Sequence, residues 1–497
     1  MKSKPAETCS DKEPVGTLGE PSVDAIEDAG VPGSSSLILD EATNKRILRK
    51  IDYKLMPVLC ITYALQYYDK AVISQAAIFG FRRDLDLETG LRFSWATLIF
   101  YFGHMVGMYP CSLLAQRFRP RPICTSLTII WALIILTTPA CKSYSGILIN
   151  RFFLGLVESG VSPIFMIVIG LWYTKQEHSV RSGWWYSCSG GSLLISPLIN
   201  FGLAHIESGP LAPWQYMFLV AGLITLVWGI ALIWIFPDTP EEAKGWSPED
   251  KALLLERIRR DNGGSENRQF KAAQVWEGVR EYQFWALAMM ALLANTGAAT
   301  LSTFASIVFA GMGFSLHTSL LLNIPFGVFA FGCVLSAAWL GSTRVGRLYT
   351  CCIATVPVML GCCLLWRLPM SSRVGRIIGV YLVSFFSSCW LQAISLGTSN
   401  VMGYSKKGFY ASGIWIGYCI GNIAGPLLFH ARYAPRYGES FIGILIFFAT
   451  LAGLSLFLRF FLERRNKRRD EKYGSPDFQD GLEDITDREN KSFRYKL

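Results

Sequence analysis

Twelve mostly apolar stretches of about 20–25 residues dominate this chain, each long enough to cross a hydrocarbon core roughly 30 Å thick. They lie near 57–81, 93–115, 122–141, 145–172, 180–204, 214–236, 284–309, 318–342, 347–366, 374–398, 408–431 and 441–462. Backbone polar groups in lipid must find their hydrogen bonds within the chain, which leaves helices as the solution for segments of this length. The expected fold is therefore an all-α polytopic membrane protein with twelve transmembrane helices. Composition agrees: 17% of the 497 residues are charged, against about 25% in a soluble domain, and mean hydropathy is +0.33. A soluble fold with so many such stretches would have no water-facing surface left.

The longest internal polar segment, 237–283, divides the spans six and six. The expected layout is a disordered cytoplasmic N-tail (1–45), a first six-helix bundle (46–236), a cytoplasmic central loop (237–283), a second bundle (284–463) and a cytoplasmic C-tail (464–497), also read as disordered after its basic start. The first 45 residues have no apolar core of a leader, so no cleavable signal is expected. Within the central loop, Ser247 suits an N-cap, Pro248 the first helical position, and Glu249 and Asp250 the positive end of the dipole. A surface helix over 248–260, carrying Lys251, Arg257, Arg259 and Arg260, is expected to lie between the bundles. The net charge of +10 comes largely from Lys45, Arg46, Arg49, Lys50 and Lys54 before the first span and Arg464, Arg465, Lys467, Arg468 and Arg469 after the last. That pattern fits positive flanks held in the cytoplasm at a plasma membrane, and not nucleic-acid binding. The thirteen cysteines show no zinc-ligand spacing, so no metal, cofactor or redox role is expected.

The two halves echo each other. Arg117 and Arg344 close the second and eighth spans, and nearly the same offset relates Arg151 to Arg376 and Asp69 to Asn295. Repeated six-helix units are the signature of a transporter with its site at the midplane.

Charge inside the spans sharpens this. "QYYDKAVISQ" places Asp69 and Lys70 about 18 Å along the first span, near the bilayer centre. A charge there costs roughly 2.5–3.5 kcal/mol on insertion scales, so it defaults to function. Neighbours on a helix point about 100° apart, so each must find a partner elsewhere or face water. "NRFFLGLVESG" adds Arg151 and Glu158 on one face of the fourth span, separated by about 10.5 Å along the axis, too far for a direct ion pair. Four charges, two of each sign, are expected around one aqueous site. A carboxylate there can take and release a proton, and a Lys or Arg can hold an anion. The second half offers Asn295, Asn323, Gln392, Asn400 and Asn422, with His430 near a helix end. Of these, Asn295, Asn323, Gln392 and Asn400 are taken with Lys70 as substrate contacts. His104 is a lone intramembrane histidine.

The segments "YYDKAVISQAAIFG", "RFFLGLVESGVSP", "NIPFG", "IGNIAGP" and "PDTPEEAKGWSPED" resemble the major facilitator superfamily. More narrowly they resemble its anion:cation symporter branch and the fungal allantoate-permease group, over about residues 45–465. The resemblance implies alternating access, Asp69 and Glu158 as proton carriers, Lys70 as an anion contact and Arg151 as a coupling residue. One motif departs: in "SLLAQRFRPR", Ser112 replaces the usual Gly and Gln116 the usual Asp, which removes a charged latch. The expected function is proton-coupled symport of a small organic anion (a carboxylate) by a monomer. The alternatives are export of a fungal secondary metabolite and a nutrient-sensing receptor. No covalent chemistry is expected, and no phosphate-binding G-x-x-x-x-G-K-[ST] loop occurs.

Overall fold

The computed structural model describes residues 40–206, 209–240, 245–262, 271–429, 437–474 and 485–497. All regular secondary structure among them is helical. The first half contains α1 (Glu41–Ala76), α2 (Arg92–Arg117), α3 (Pro120–Thr137), α4 (Tyr144–Glu158), α5 (Val161–Trp172), α6 (Lys175–Ala204) and α7 (Pro213–Ile235). Two shorter helices follow, α8 (Pro248–Asn262) and α9 (Ala272–Val279). The second half contains α10 (Tyr282–Gly311), α11 (Leu316–Leu321), α12 (Asn323–Ser342), α13 (Arg347–Arg367), α14 (Arg373–Val383), α15 (Phe386–Ser399), α16 (Tyr404–Leu427) and α17 (Gly438–Tyr473). Local chemistry sets the starts. Asp40 accepts from the Glu41 N–H, Ser143 from the Gly146 N–H, and Thr174 with Glu177 forms a capping box.

The pairs α4–α5, α11–α12 and α14–α15 are each one span interrupted near its middle, which gives six spans per half. Among the described residues, nine spans are both long and apolar enough to cross a membrane. The other three spans are α1, α10 and α16, and each turns polar residues toward the space between the bundles.

Within a half, two helix pairs approach backbone to backbone. On α2 and α4, a Cβ at Gly103 would meet the Phe152 carbonyl, and one at Gly155 would fall on the Phe100 carbonyl oxygen. On α16, Gly417, Gly421 and Gly425 lie against the Ala288, Leu292 and Thr296 carbonyls of α10 in the same way. Small residues at four-residue spacing permit this closeness in lipid, where packing replaces hydrophobic exclusion as the driving force.

Three expectations about the polar segments change. The disordered tail expected over 1–45 is overtaken at its end, where α1 begins at Glu41 behind its Asp40 cap; residues 1–39 lie outside the described residues. The helix expected over 248–260 runs Pro248–Asn262, with Ser247 accepting from the Asp250 N–H. It docks on the first bundle and not between the two: Asp250 pairs with Arg46 and Lys50 (both 2.8 Å), and buried Arg257 pairs with Glu177 and bonds Asn44 (2.6 Å). Leu254 and Ile258 pack with Ile47, Ile51 and Leu55 of α1.

The tail 464–497 is not a free segment throughout. Helix α17 continues to Tyr473, and residues 485–497 form a strap on the second bundle. Lys406, fully buried, meets Asp487 (2.6 Å), Glu277 (2.7 Å) and Glu281 (2.9 Å). Arg469 donates to the Asp487 and Asn490 carbonyls, and the Asn466 side chain pairs with both backbone groups of Tyr495. The sequence hid this because the strap's own residues are polar; its partners come from four distant segments.

Two outcomes follow from this packing. Gly155→Val drives α2 from α4 and is expected to cost about 1–3 kcal/mol; Gly170→Ala, with open space around it, should melt at or slightly above wild type in detergent. The second concerns Asp250, whose carboxyl is held below the usual range, chiefly by its hydrogen bond from Lys50. A lowered folded value means the contribution is full above the ordinary aspartate pKa, about 3.9, and lost as pH falls through the depressed value. Asp250→Asn should therefore raise protease cleavage around α8 at neutral pH, while wild type shows the same rise only in strong acid.

Candidate functional site

A cavity of about 170 Å³ lies between the two halves. Asp69 and Lys70 from α1, Arg151 and Glu158 from α4, and Asn295 from α10 all line it, so the structure brings these five together. Lys70 reaches across to Glu158 and pairs with it at 2.8 Å, which is the partner on another helix that its direction demanded. Its ammonium also stands 5.3 Å from the Tyr67 ring and 5.4 Å from the Phe100 ring, within cation–π range. Glu158 is 1% exposed and Asp69 2%.

Unlike Glu158, Asp69 has no ion pair among the described residues, and neither of its carboxyl oxygens meets hydrogen-bond geometry. Nε and Nη2 of Arg151 likewise donate no hydrogen bond, and its guanidinium lies 4.9 Å from the Phe218 ring. The Trp131 indole of α3, wholly buried, faces Asp69 with its N–H unbonded. Buried polar groups are ordinarily satisfied. A cluster of unsatisfied ones around one cavity marks a place built to receive something polar.

Three expected contacts lie elsewhere. Asn323 bonds Ser306 and the Ser319 carbonyl beside the cavity but does not line it. Gln392 donates to the Ala337 carbonyl and packs under Gly341. Asn400 holds both backbone groups of Lys496 in the strap, at 2.7 Å each. Each amide does a structural task that sequence alone could not separate from recognition. Arg376, the echo of Arg151, is buried against the Leu365 and Leu368 carbonyls and is no second cavity cation. His430 and the side chains of Ser112, Gln116, Arg259 and Arg260 lie outside the described residues. His104 faces a smaller space next to the cavity, shared with Lys70, Tyr63 and Gln66.

What the sequence reading missed is the aromatic framing. Tyr67, Phe100, Tyr186, Phe331, Trp390 and Tyr418 line the cavity. The Trp390 indole donates to the Tyr186 hydroxyl across the two halves (2.5 Å) and leans on Tyr418 (ring centroids 5.1 Å). This layer separates the cavity from the face that carries the described ends of the chain. On the opposite face the halves meet at Ser74–Ser306, Ser94 to the Phe429 carbonyl, and the His205–His317 rings 4.3 Å apart. The signal was present on α1, where Tyr63, Tyr67 and Lys70 follow one helix face, but aromatic residues are common in any apolar helix.

Comparison with known proteins places this geometry. The Major Facilitator Superfamily model matches residues 59–426. The allantoate permease of Saccharomyces cerevisiae is 30% identical over 91% of this chain and 87% of that protein. The thiamine pathway transporter THI73 of the same yeast is 30% identical over 96% and 90%. An uncharacterized transporter of Schizosaccharomyces pombe, C757.13, is 31% identical over 91% and 87%. In fold, the xylose transporter XylE from E. coli, in a partially occluded inward-open conformation, superposes with a TM-score of 0.62 at 13% identity, over 81% of this chain and 96% of that one. With its family match, its fold and these relatives in agreement, the chain belongs to the Major Facilitator Superfamily and is a multi-pass membrane transporter, not an enzyme.

Proposed function

We propose that this transporter carries a small organic anion together with protons by alternating access to the central cavity. The observation that supports this most is the Lys70–Glu158 pair set beside an unpartnered Asp69 and Arg151. When Glu158 takes a proton, Lys70 is released and a substrate carboxylate can replace Glu158 as its counter-charge. The proton and the anion then enter together with no net change of charge at the midplane, where an uncompensated charge is costly. Arg151, with two unbonded nitrogens at the cavity, is the second anion contact and the better placed one in the empty state. Asp69 lines the same cavity and is within electrostatic reach of both the carboxylate Glu158 and the cation Arg151, so its protonation changes the field each of them feels. A ligand or proton shifts a conformational equilibrium only through unequal affinity for the two states. A charge that switches on and off beside Arg151 supplies that inequality. The relative named for allantoate, itself an anion, supports the substrate class. The basic flanks of α1 and α17 support a plasma-membrane protein with both flanks cytoplasmic, acting as a monomer.

Two experiments test the reading. Lys70→Ala leaves Glu158 buried without its cation, a loss of about 3–5 kcal/mol when one partner of a buried pair is removed. Folded yield should fall, and Lys70→Ala combined with Glu158→Gln should restore yield but not anion binding. Wild-type yield and anion affinity in the single variant would remove Lys70 from the scheme. The other compares uptake and counterflow in proteoliposomes. Asp69→Asn fixes the uncharged form, so accumulation driven by a pH gradient should be lost while exchange of labelled for unlabelled substrate survives in part. Glu158→Gln should damage the same driven step. If Asp69→Asn still concentrates substrate on a pH gradient alone, Asp69 is not a coupling group.

A further inference from the structure

The two walls of the cavity differ in chemistry. All four charges come from the first half, and among the described residues no charged side chain of the second half lines it. The second half contributes chiefly ring faces and amides, Phe326, Phe331, Phe386, Trp390, Asn295 and Asn422, with the hydroxyl-bearing Thr303, Ser387 and Tyr418. What each can offer a ligand is fixed by what it already binds. Trp390 has committed its only donor to the Tyr186 hydroxyl, so it presents only its ring. Phe331 is held by α6, where a Cβ at Gly190 would come within 3.2 Å of it. The Asn295 side chain bonds the Ala291 carbonyl and Asn422 the Tyr418 carbonyl, both at 2.8 Å. Only the amide nitrogen can donate to a carbonyl, so the orientation of both side chains is determined. Each side-chain oxygen, for which no hydrogen bond appears among the described contacts, is left as an acceptor on a residue that lines the cavity.

We infer that this site selects a planar, aromatic or heteroaromatic carboxylate that carries an N–H or O–H donor at the end remote from its carboxylate. The inference rests on the anion reading above and refines it. The carboxylate meets Arg151 and Lys70. The flat middle lies against the rings of the second half, where offset and edge contacts favour another π system over a saturated one. The far donor meets Asn295 and Asn422, whose carbonyl oxygens reject a second anionic end and leave an undecorated ring without its hydrogen bond. Sites that hydrogen-bond a ligand discriminate strongly against the analogue lacking that group, because the buried acceptor is left unpaired.

The test uses the purified full chain in liposomes at one pH, with binding of 4-aminobenzoate, benzoate and cyclohexanecarboxylate read by tryptophan fluorescence and confirmed by thermal shift. Benzoate should bind about tenfold tighter than its saturated counterpart, the scale of ring stacking. The 4-amino group should add about another tenfold. In Phe331→Leu, on a partly exposed ring whose loss leaves the fold intact, the gap between benzoate and cyclohexanecarboxylate should narrow. In Asn422→Leu, the gap between 4-aminobenzoate and benzoate should close while benzoate binding stays. Equal binding of all three carboxylates overturns this inference and leaves the anion reading standing. Binding of benzoate over 4-aminobenzoate overturns the donor requirement, and with it the proposal as stated. Binding of none of the three overturns this inference, and the anion reading is then decided by the Lys70→Ala and Asp69→Asn experiments above.

Discussion

The pairing of Lys70 with Glu158 is the contact around which the first bundle is arranged. It joins α1 to α4 within the span, with Glu158 fully buried and Lys70 partly open to the cavity, and it exists only if those helices lie side by side. A buried pair of this kind adds little net stability over a well-packed apolar pair, yet breaking one half of it is expensive. Its value is therefore in specification. It fixes which face of α1 meets the cavity, and thus directs Asp69 away from Lys70 and toward Arg151 and Trp131. The neighbouring α2 is brought in by the backbone contacts at Gly103 and Gly155, which place Phe100 beside the Lys70 ammonium.

The second bundle solves a different problem with related means. Its central pair, α10 and α16, is joined along Gly417, Gly421 and Gly425 without any intramembrane charge. The polar side chains of that pair, Asn295 and Asn422, bond back to their own helices and so remain compatible with lipid depth while keeping an oxygen at the cavity. A charged half faces an uncharged, acceptor-bearing half. In the proposed scheme, protonation falls to the charged half, while shape and hydrogen-bond selection fall to the other.

The fold was legible in the sequence because the bilayer imposes a single length and a single backbone solution on every span. The midplane charges were legible for the same reason: Asp69, Lys70, Arg151 and Glu158 stand out against apolar neighbours whose cost is known. The amides were not. Asn323, Gln392 and Asn400 carry the same chemistry as Asn295, and only the positions of the Ser319, Ala337 and Lys496 carbonyls decide that these three are structural. Aromatic lining was hidden by abundance, since Trp390 and Tyr186 look like any other apolar-span residues until their hydroxyl and indole are seen to meet. The strap was hidden because its anchors, Asn400, Lys406, Asn466 and Arg469, are scattered through sequence and converge only in space.

These appended pieces bear on how the halves can move. Helix α8 is tied to α1 and α6 through Asp250 and Arg257, and the 485–497 strap is tied to α9, α15, α16 and α17 through Glu277, Asn400, Lys406 and Asn466. Each clamp binds the ends of helices within one bundle. Neither Arg257 nor Lys406 forms its ion pairs across the divide. A rocking motion then leaves the strongest peripheral interactions intact; the polar contacts it separates between the halves include the Tyr186–Trp390 bond on one side of the cavity and the Ser74, Ser94 and His205 contacts on the other. Hydroxyl, carbonyl and ring contacts of this kind are each worth on the order of 1 kcal/mol net. Buried ion pairs lost partner by partner cost several times more. Placing the costly interactions inside the bundles and inexpensive polar ones between them suits the proposed scheme, in which a proton or anion acting at Glu158, Lys70 and Asp69 decides which side of the cavity opens.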